Sequence, residues 1–435
     1  MRELSRRDFL KYASAGTSSI MLPGLFSDQN SSKDRPNIIL IMADDLGYEC
    51  LGCYGGQSYR TPVLDNLAGT GVRFDYCYSQ PLCTPSRVQI MTGRYNFRNY
   101  KMFGYLDPAE ITFGHVLKNA GYATCISGKW QLGNGIEGPF HAGFEEYCLW
   151  QIYSQIARKD VRGPRYANPR LHVNGKVLEG TRGKYGPDIC CDFILDFMDR
   201  KRKQPFFIYY PMILTHDPFV PTPDSAEWKT RKNKPSVRFF SDMVSYMDKI
   251  VGRIAKNLEK LGLREKTLIL FTADNGTGRK IKSRQNGRWI QGGKSFTTEA
   301  GTHVPFIASW PGRIPEGIVN QDLVDFSDFL PTLAEISGTT LPENVVIDGQ
   351  SFYPQLLGKK GNPREWVYIH YWGRGRHILL TQRCAFNKRW KLYDDSRFID
   401  IQDDPLEQNP LAPNRITGDL VSVKNKLQAV LDSMK

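Results

Sequence analysis

Five short runs of the chain are dense in apolar residues: NIILIMA (Asn37–Ala43), ATCIS (Ala123–Ser127), PFFIYYPMIL (Pro205–Leu214), TLILFTA (Thr267–Ala273) and VPFIASW (Val304–Trp310). Runs of this kind, without polar alternation, are the pattern of strands buried on both faces, as in a parallel sheet covered by helices. Between them the period changes. SDMVSYMDKIVGRIAKNLEKLG carries an apolar stripe that recurs every three to four residues and closes at Gly262, and FGHVLKNAGY ends similarly on Gly121. Glycines so placed suit helix C-caps. Strands alternating with helices predict an α/β fold, a large and mostly parallel sheet sandwiched by helices.

After SDFLPTLAEISG the texture shifts. From about Pro363 the chain is aromatic and basic, REWVYIHYWGRGRHILLTQRCAFNKRWKLYD, and reads as short strands joined by turns. GDLVSVKNKLQAVLDSM then reads as a terminal helix. The expected organisation is a main domain over residues 35–362 and a small C-terminal α+β subdomain, an antiparallel sheet with a terminal helix, over 363–435.

Composition narrows the functional classes. With 435 residues, 40% hydrophobic and 24% charged, the chain is globular and long enough for a sizeable core. No apolar run reaches membrane-spanning length. The formal charge of +13 favours an anionic partner such as a sulfated or phosphorylated substrate. Its lysines and arginines are scattered and form no recognition motif, which argues against nucleic acid. The nine cysteines do not have the spacing of a disulfide framework, and Cys50-x-x-Cys53 has no second pair to complete a zinc site.

Residues 1–34 carry a different signal. Arg6-Arg7 precede Phe9-Leu10-Lys11 and a modestly apolar stretch, followed by the polar SDQNSSKDRP. This resembles a bacterial twin-arginine export signal and linker, and so implies the export machinery as a partner and a periplasmic or secreted location.

The chemistry-bearing residues follow the apolar runs. The first run ends in Asp44-Asp45, the second in Gly128-Lys129-Trp130-Gln131, the third in Thr215-His216 and the fourth in Asp274-Asn275. In open α/β sheets, ligands bind beyond the carboxyl ends of the strands. Singly, each of these residues has an ordinary reading as turn, cap or surface; together they predict one site. Asp44, Asp45, Asp274 and Asn275 form an all-oxygen set suited to Ca²⁺, or less well Mg²⁺, rather than zinc. Lys129 and Lys294 are expected in Gly-flanked loops, and with Arg87, His216 and a divalent cation they would make a pocket for a tetrahedral oxyanion. In CTPSRVQIMTGR, Arg87 lies four residues after Cys83, one turn later if the chain is helical after Pro85.

These stretches resemble the type I, formylglycine-dependent sulfatases of the alkaline-phosphatase-like superfamily. CTPSRVQIMTGR is similar to their signature, and MADDLGY, SGKWQLG, THDPF, TADNGT, GGKSFTTEAGTHVPFIASWPG and DIQDDPLEQNPLA follow in order from about Pro36 to Pro413. The resemblance implies that a formylglycine-generating enzyme oxidises Cys83 to formylglycine (3-oxoalanine), whose hydrate attacks sulfur. It implies Ca²⁺ on Asp44, Asp45, Asp274, Asn275 and the modified Cys83. Arg87 would orient the hydrate, Lys129 and Lys294 would bind sulfate oxygens, and His216 would assist the departing alcohol. Asp274 is a further candidate, as base. The implied reaction is release of sulfate from a sulfated carbohydrate or an aryl sulfate.

One position departs from the family pattern. Where relatives carry a histidine two residues after the lysine of GKW, this chain has Gln131, which cannot take up a proton at ordinary pH. His216 and His303 are the candidates to substitute for it, while His115, His141 and His172 read as structural. Two alternatives follow: a phosphoester or phosphonate hydrolase of the same superfamily, or a sulfated-glycan-binding relative with impaired catalysis. Arg162, Arg165, Arg170, Arg374, Arg376 and His377 are candidates to line a substrate cleft.

Overall fold

The structure, a computed structural model, describes residues 35–153, 163–372 and 381–434. The twin-arginine stretch lies outside the described residues, as do Arg162, Arg374, Arg376 and His377. In chain order the strands are β1 (Asn37–Ala43), β2 (Val72–Tyr78), β3 (Ala123–Lys129), β4 (Glu146–Trp150), β5 (His172–Val173), β6 (Lys176–Val177), β7 (Phe206–Pro211), β8 (Thr267–Ala273), β9 (Lys282–Gln285), β10 (Arg288–Gln291), β11 (His303–Ser309), β12 (Ile318–Asp325), β13 (Val367–Tyr371), β14 (Gln382–Phe386), β15 (Trp390–Tyr393) and β16 (Phe398–Asp400). Ten of them form one sheet in the order β12-β2-β11-β8-β1-β7-β3-β4-β5-β6.

The dense apolar runs are its centre. Every residue of β1, β3, β7 and β8 is buried, and β8, β1, β7 and β3 pair in parallel, side by side. Alternate side chains of β7 show that both faces are covered. Phe207 and Tyr209 meet Phe113, at ring-centroid distances of 5.3 and 5.1 Å, on one face. On the other, Phe206 meets Phe197 at 6.3 Å and the Tyr210 hydroxyl donates to the Pro187 carbonyl. The first contact belongs to helix Phe113–Asn119 and the others to helix Gly186–Lys201. The predicted stripe becomes helix Phe239–Lys260, which buries Met243, Met247, Ile250, Val251 and Ile254.

One strand departs from the parallel expectation. VPFIASW forms β11, which runs antiparallel to both β2 and β8. Burial on both faces marks a central strand, but it carries no information about direction.

The C-terminal region forms a separate four-stranded antiparallel sheet, β13-β14-β15-β16. Helix Asp419–Ser433 buries Leu427, Val430 and Leu431 in one cluster with Tyr368, Ala385 and Leu392 of that sheet. Its other face joins the large sheet through Tyr78 and Leu323, which share a cluster with Val367, Ile369, Cys384 and Phe386. No helix among the described residues is long and apolar enough to cross a membrane. All nine cysteines are free.

Candidate active site

The carboxyl ends of four neighbouring strands supply most of the site. Backbone bonds continue past the strand ends and hold them together: Asp44 N–H donates to the Leu214 carbonyl at 2.8 Å, Asp274 N–H to Ala43 at 2.9 Å and Leu46 N–H to Asn275 at 3.1 Å. Asp44 and Asp45 leave β1, and Asp274 and Asn275 leave β8. His216 lies in the loop after β7. Lys129 is the last residue of β3 rather than a loop residue, because Trp150 of β4 pairs with it and extends the strand. Gly128 permits this course, since with φ +121° a Cβ there would stand 2.0 Å from the Pro211 carbonyl oxygen. Cys83 is the first residue of helix Cys83–Thr92, which therefore starts before Pro85. Lys294 arrives from the segment between β10 and β11.

Each carboxylate meets one cation. Lys129 Nζ lies 2.7 Å from Asp44 Oδ2, Lys294 Nζ 2.6 Å from Asp45 Oδ2, and Arg87 Nη2 3.0 Å from Asp274 Oδ2. Arg87 also donates to the Lys129 carbonyl at 3.1 Å, so its side chain joins the signature helix to two strand ends. Asp45 N–H donates to Asp274 Oδ1 at 3.1 Å, and Asn275 Nδ2 donates to Asp45 Oδ1 at 2.9 Å. The predicted set is thus one connected cluster.

Burial sets the electrostatics. It opposes ionisation of Asp44, but Lys129, His216, Arg87 and Lys294 overcome it and hold that carboxyl far below the usual range. Asp274 goes the other way: burial and the neighbouring Asp44 push it up to about 6 against the pull of Arg87 and Lys129. At Cys83, burial dominates and raises the thiol, with Lys129 and Lys294 opposing and Asp274 and Asp44 adding. An unmodified Cys83 is therefore a protonated, poorly nucleophilic thiol at neutral pH.

Two oxygens mark a gap in the cluster. Asp44 Oδ1 and Asn275 Oδ1 are buried and have no hydrogen-bond partner. Buried acceptors are almost always satisfied, and hard oxygens left open beside carboxylates fit a hard cation. Asp44, Asp45 and His216 also present ligand atoms within 4.8 Å of one another. His216 thus lies beside the predicted oxygen donors. Its Nε2 lies 3.7 Å from Asp45 Oδ2, while Nδ1 lies 2.6 Å from the Asp217 carbonyl. The cluster opens to solvent through a hollow of about 430 Å³ lined by Asp45, Lys294, Asp217, Arg279 and Lys280.

The sequence of the family described as Sulfatase matches residues 36–339.

The chain belongs to the sulfatase family.

A second family description, N-sulphoglucosamine sulphohydrolase, C-terminal, matches residues 287–434 of this sulfatase and takes in the four-stranded sheet. Human arylsulfatase A is 36% identical over 370 residues, 77% of this chain and 70% of the relative. Dog N-acetylgalactosamine-6-sulfatase is 32% identical over 368 residues, 77% of this chain and 68% of the relative. A solved Bacteroides thetaiotaomicron chain, from work on metabolism of multiple glycosaminoglycans, superposes with a TM-score of 0.74 at 25% identity, covering 92% of this chain and 99% of that one. As a sulfatase, the protein hydrolyses sulfate esters.

Other candidates in the sulfatase fall in distinct places. Arg165, one of the cleft arginines, brings its Nη1 to 3.1 Å from His216 Nδ1 and stacks over Trp150 at 4.2 Å. Arg170 is exposed. Gln131 is buried with a positive φ of 56°, and its Oε1 has no partner. His303 has both ring nitrogens engaged, Nδ1 with Glu299 and Nε2 with the Asp75 carbonyl, and lies flat on Tyr48. His115 completes the capping box of helix Phe113–Asn119 with Thr112. Sequence reasoning missed Thr277, which accepts from Gly47 N–H at 2.8 Å and donates to the buried Glu49 at 2.5 Å. It stands directly after the Asp-Asn-Gly turn, where its hydroxyl was the available signal.

Proposed function

We propose that this sulfatase is an exported, Ca²⁺-dependent, formylglycine-bearing enzyme that releases sulfate from a sulfated carbohydrate. The observation that carries the reading is the pair of partnerless buried oxygens on Asp44 and Asn275, set among three carboxylate–cation pairs beside Cys83. A calcium ion would be held by Asp44, Asp45, Asp274 and Asn275, supplying the positive charge that an anionic ester needs. Formylglycine at residue 83, made by a formylglycine-generating enzyme, would supply the oxygen nucleophile that a buried thiol does not.

The chain's own groups then divide the work. Lys129 and Lys294, whose ammonium groups stand at the cluster's carboxylates, would grip the sulfate oxygens as charge-assisted donors. Arg87, anchored on Asp274 and the Lys129 carbonyl, holds the first turn of the signature helix and so aims residue 83. His216, with Nδ1 held at the Asp217 carbonyl, gives the departing alcohol oxygen a proton from Nε2. The rim cations Arg279 and Lys280 and the net charge of +13 favour an anionic glycan. N-acetylgalactosamine-6-sulfatase among the relatives supports the carbohydrate class.

The test is sulfate release by mature protein from defined sulfated saccharides and an aryl sulfate, with the matched aryl phosphate as comparison. Release from at least one sulfated sugar, well above the phosphate rate, is the expected result. Calcium at about a hundred times its dissociation constant should add about 3 kcal/mol of stability, read as a higher melting temperature that a chelator reverses. No release from any sulfate ester, with melting indifferent to calcium, would sink the proposal.

Gln131 favours a second reading, an enzyme with impaired catalysis that is slow in restoring its nucleophile. Gln131→His is expected to raise kcat by about tenfold or more if an acid–base group is missing there. An unchanged kcat would show that another group already performs that step.

A further inference from the structure

A second hollow, of about 600 Å³, is walled by Tyr48, Tyr76, Arg288, Trp289, Glu299 and Lys388 among others. It shares Tyr48, Tyr76, Gln285, Asn286 and His303 with an adjoining hollow of about 400 Å³, so the two form one trough. None of its lining residues belongs to the cluster around Cys83. The trough draws its walls from the segment after β1, from β2, from the β9–β10 hairpin and from the small sheet.

Three observations point to the chemistry of an occupant. Trp289 is 60% exposed on the hairpin, a flat indole face of the kind that sugar rings stack against. Arg288 and Lys388 are exposed and form no ion pair among the described residues; Lys388 Nζ stands 5.8 Å from the Tyr76 ring centre. They are free to take an anion at the rim. On the floor, Glu299 is 8% exposed. Its Oε2 accepts from the Tyr78 hydroxyl and faces His303, but Oε1 has no partner. Glu299 thus adds an acidic group to the polar lining of the hollow. Stacking face, rim cations and polar lining together describe a sulfated sugar better than an apolar ligand.

The trough is also within reach of the reaction. Tyr48 lies three residues beyond Asp45 and Glu299 five beyond Lys294. Extended backbone spans at most about 3.6 Å per residue, which bounds those Cα separations at about 11 and 18 Å.

We infer that this trough is a subsite for a non-reacting, sulfated segment of a polysaccharide substrate, holding the polymer while another residue of it enters the site at Cys83. The ligand class rests on the reading of the enzyme as a glycan sulfatase; the binding test does not require turnover.

The experiment measures dissociation constants of the full chain carrying Cys83→Ala for heparin, chondroitin sulfate and carrageenan, each beside its desulfated form. Trp289→Ala in that chain is expected to weaken at least one sulfated polymer about tenfold at any salt. Lys388→Gln should weaken the same polymer several-fold at about 0.05 M NaCl and hardly at all at about 1 M, where charge is screened. In the catalytically competent chain both variants should turn over a small aryl sulfate within about twofold of the parent, with unchanged melting, because neither side chain touches the reacting groups. The inference is overturned if the parent binds none of the sulfated polymers, binds desulfated ones equally well, or loses nothing on either substitution. It is also overturned if the variants lose aryl-sulfate turnover together with polymer binding, since the trough would then be part of the catalytic site. A protein that binds polymer as expected yet releases no sulfate would leave the subsite standing and sink the proposed function alone.

Discussion

Cys83→Ala is expected to abolish sulfate release, with a loss of at least about 10³-fold in kcat, because the nucleophile itself is removed. The fold should tolerate the change. Cys83 is buried at the start of its helix, and alanine is smaller and a better helix former. Arg87 keeps its bonds to Asp274 and the Lys129 carbonyl, since neither involves residue 83. Calcium should therefore still raise the melting temperature of the variant. Cys83→Ser sharpens the test: it restores a hydroxyl of similar size but no aldehyde. If an ordinary side-chain nucleophile sufficed, serine would work at least as well as a thiol that burial keeps protonated. The expectation is a variant nearly as inactive as alanine, and an intact mass of the parent showing CH₂SH replaced by CHO at this position. More than a tenth of the parent rate in Cys83→Ala, or a parent with an unmodified thiol and full activity, would remove formylglycine from the account.

The part of this site that was legible in sequence is the part made by strand ends. β1 and β8 have the bounds expected from NIILIMA and TLILFTA, because the step from apolar run to Asp-Asp or Asp-Asn is itself the strand terminus. Parallel neighbours then bring those termini together without further information. β2 left no comparable trace: in VRFDYCY the half-exposed Arg73 and Asp75 alternate with buried Val72 and Phe74, a period-two pattern shorter and weaker than the dense runs. The direction of β11 was not legible at all, since burial is the same either way. Lys129 was expected in a loop because Gly128 precedes it, yet the glycine serves instead to let β3 pass close to Pro211. The least legible features are those assembled from distant segments. The trough around Trp289 draws on residues from Tyr48 to Leu406, and the side chains tying the small sheet to the Lys294 segment are buried polar groups that no periodicity announces.

Those ties predict the second large effect: Lys391→Met should cost about 3–5 kcal/mol of stability, as removal of one partner from a buried ion pair does. Lys391 on β15 is fully buried; its ammonium donates to the Thr297 carbonyl and lies 2.9 Å from Glu407 Oε1. Burial works against that charge, and Glu407, with Tyr393 and Cys384, overrides it and holds the ammonium well above its ordinary range. Tyr393 donates to the second carboxylate oxygen at 2.5 Å, and its hydroxyl also stands 3.0 Å from Thr297 Oγ1. Methionine fills most of the volume but leaves the Glu407 carboxylate without its counter-ion and the Thr297 carbonyl without its donor. The damage should reach catalysis, because Thr297 lies three residues beyond Lys294, whose ammonium pairs with Asp45 and whose N–H donates to Thr277 at 3.1 Å. A lysine that grips sulfate from a loosened segment should raise KM more than it lowers kcat. Pairing Lys391→Met with Glu407→Leu removes both charges, and the double variant should regain more than half of the lost stability while KM stays high, since the Thr297 carbonyl is still unanchored. Urea unfolding and steady-state kinetics on the three variants decide it. A single-variant cost below about 1 kcal/mol would mean that this buried pair does not brace the segment, and an unchanged KM would mean that Lys294 is positioned by its own loop alone.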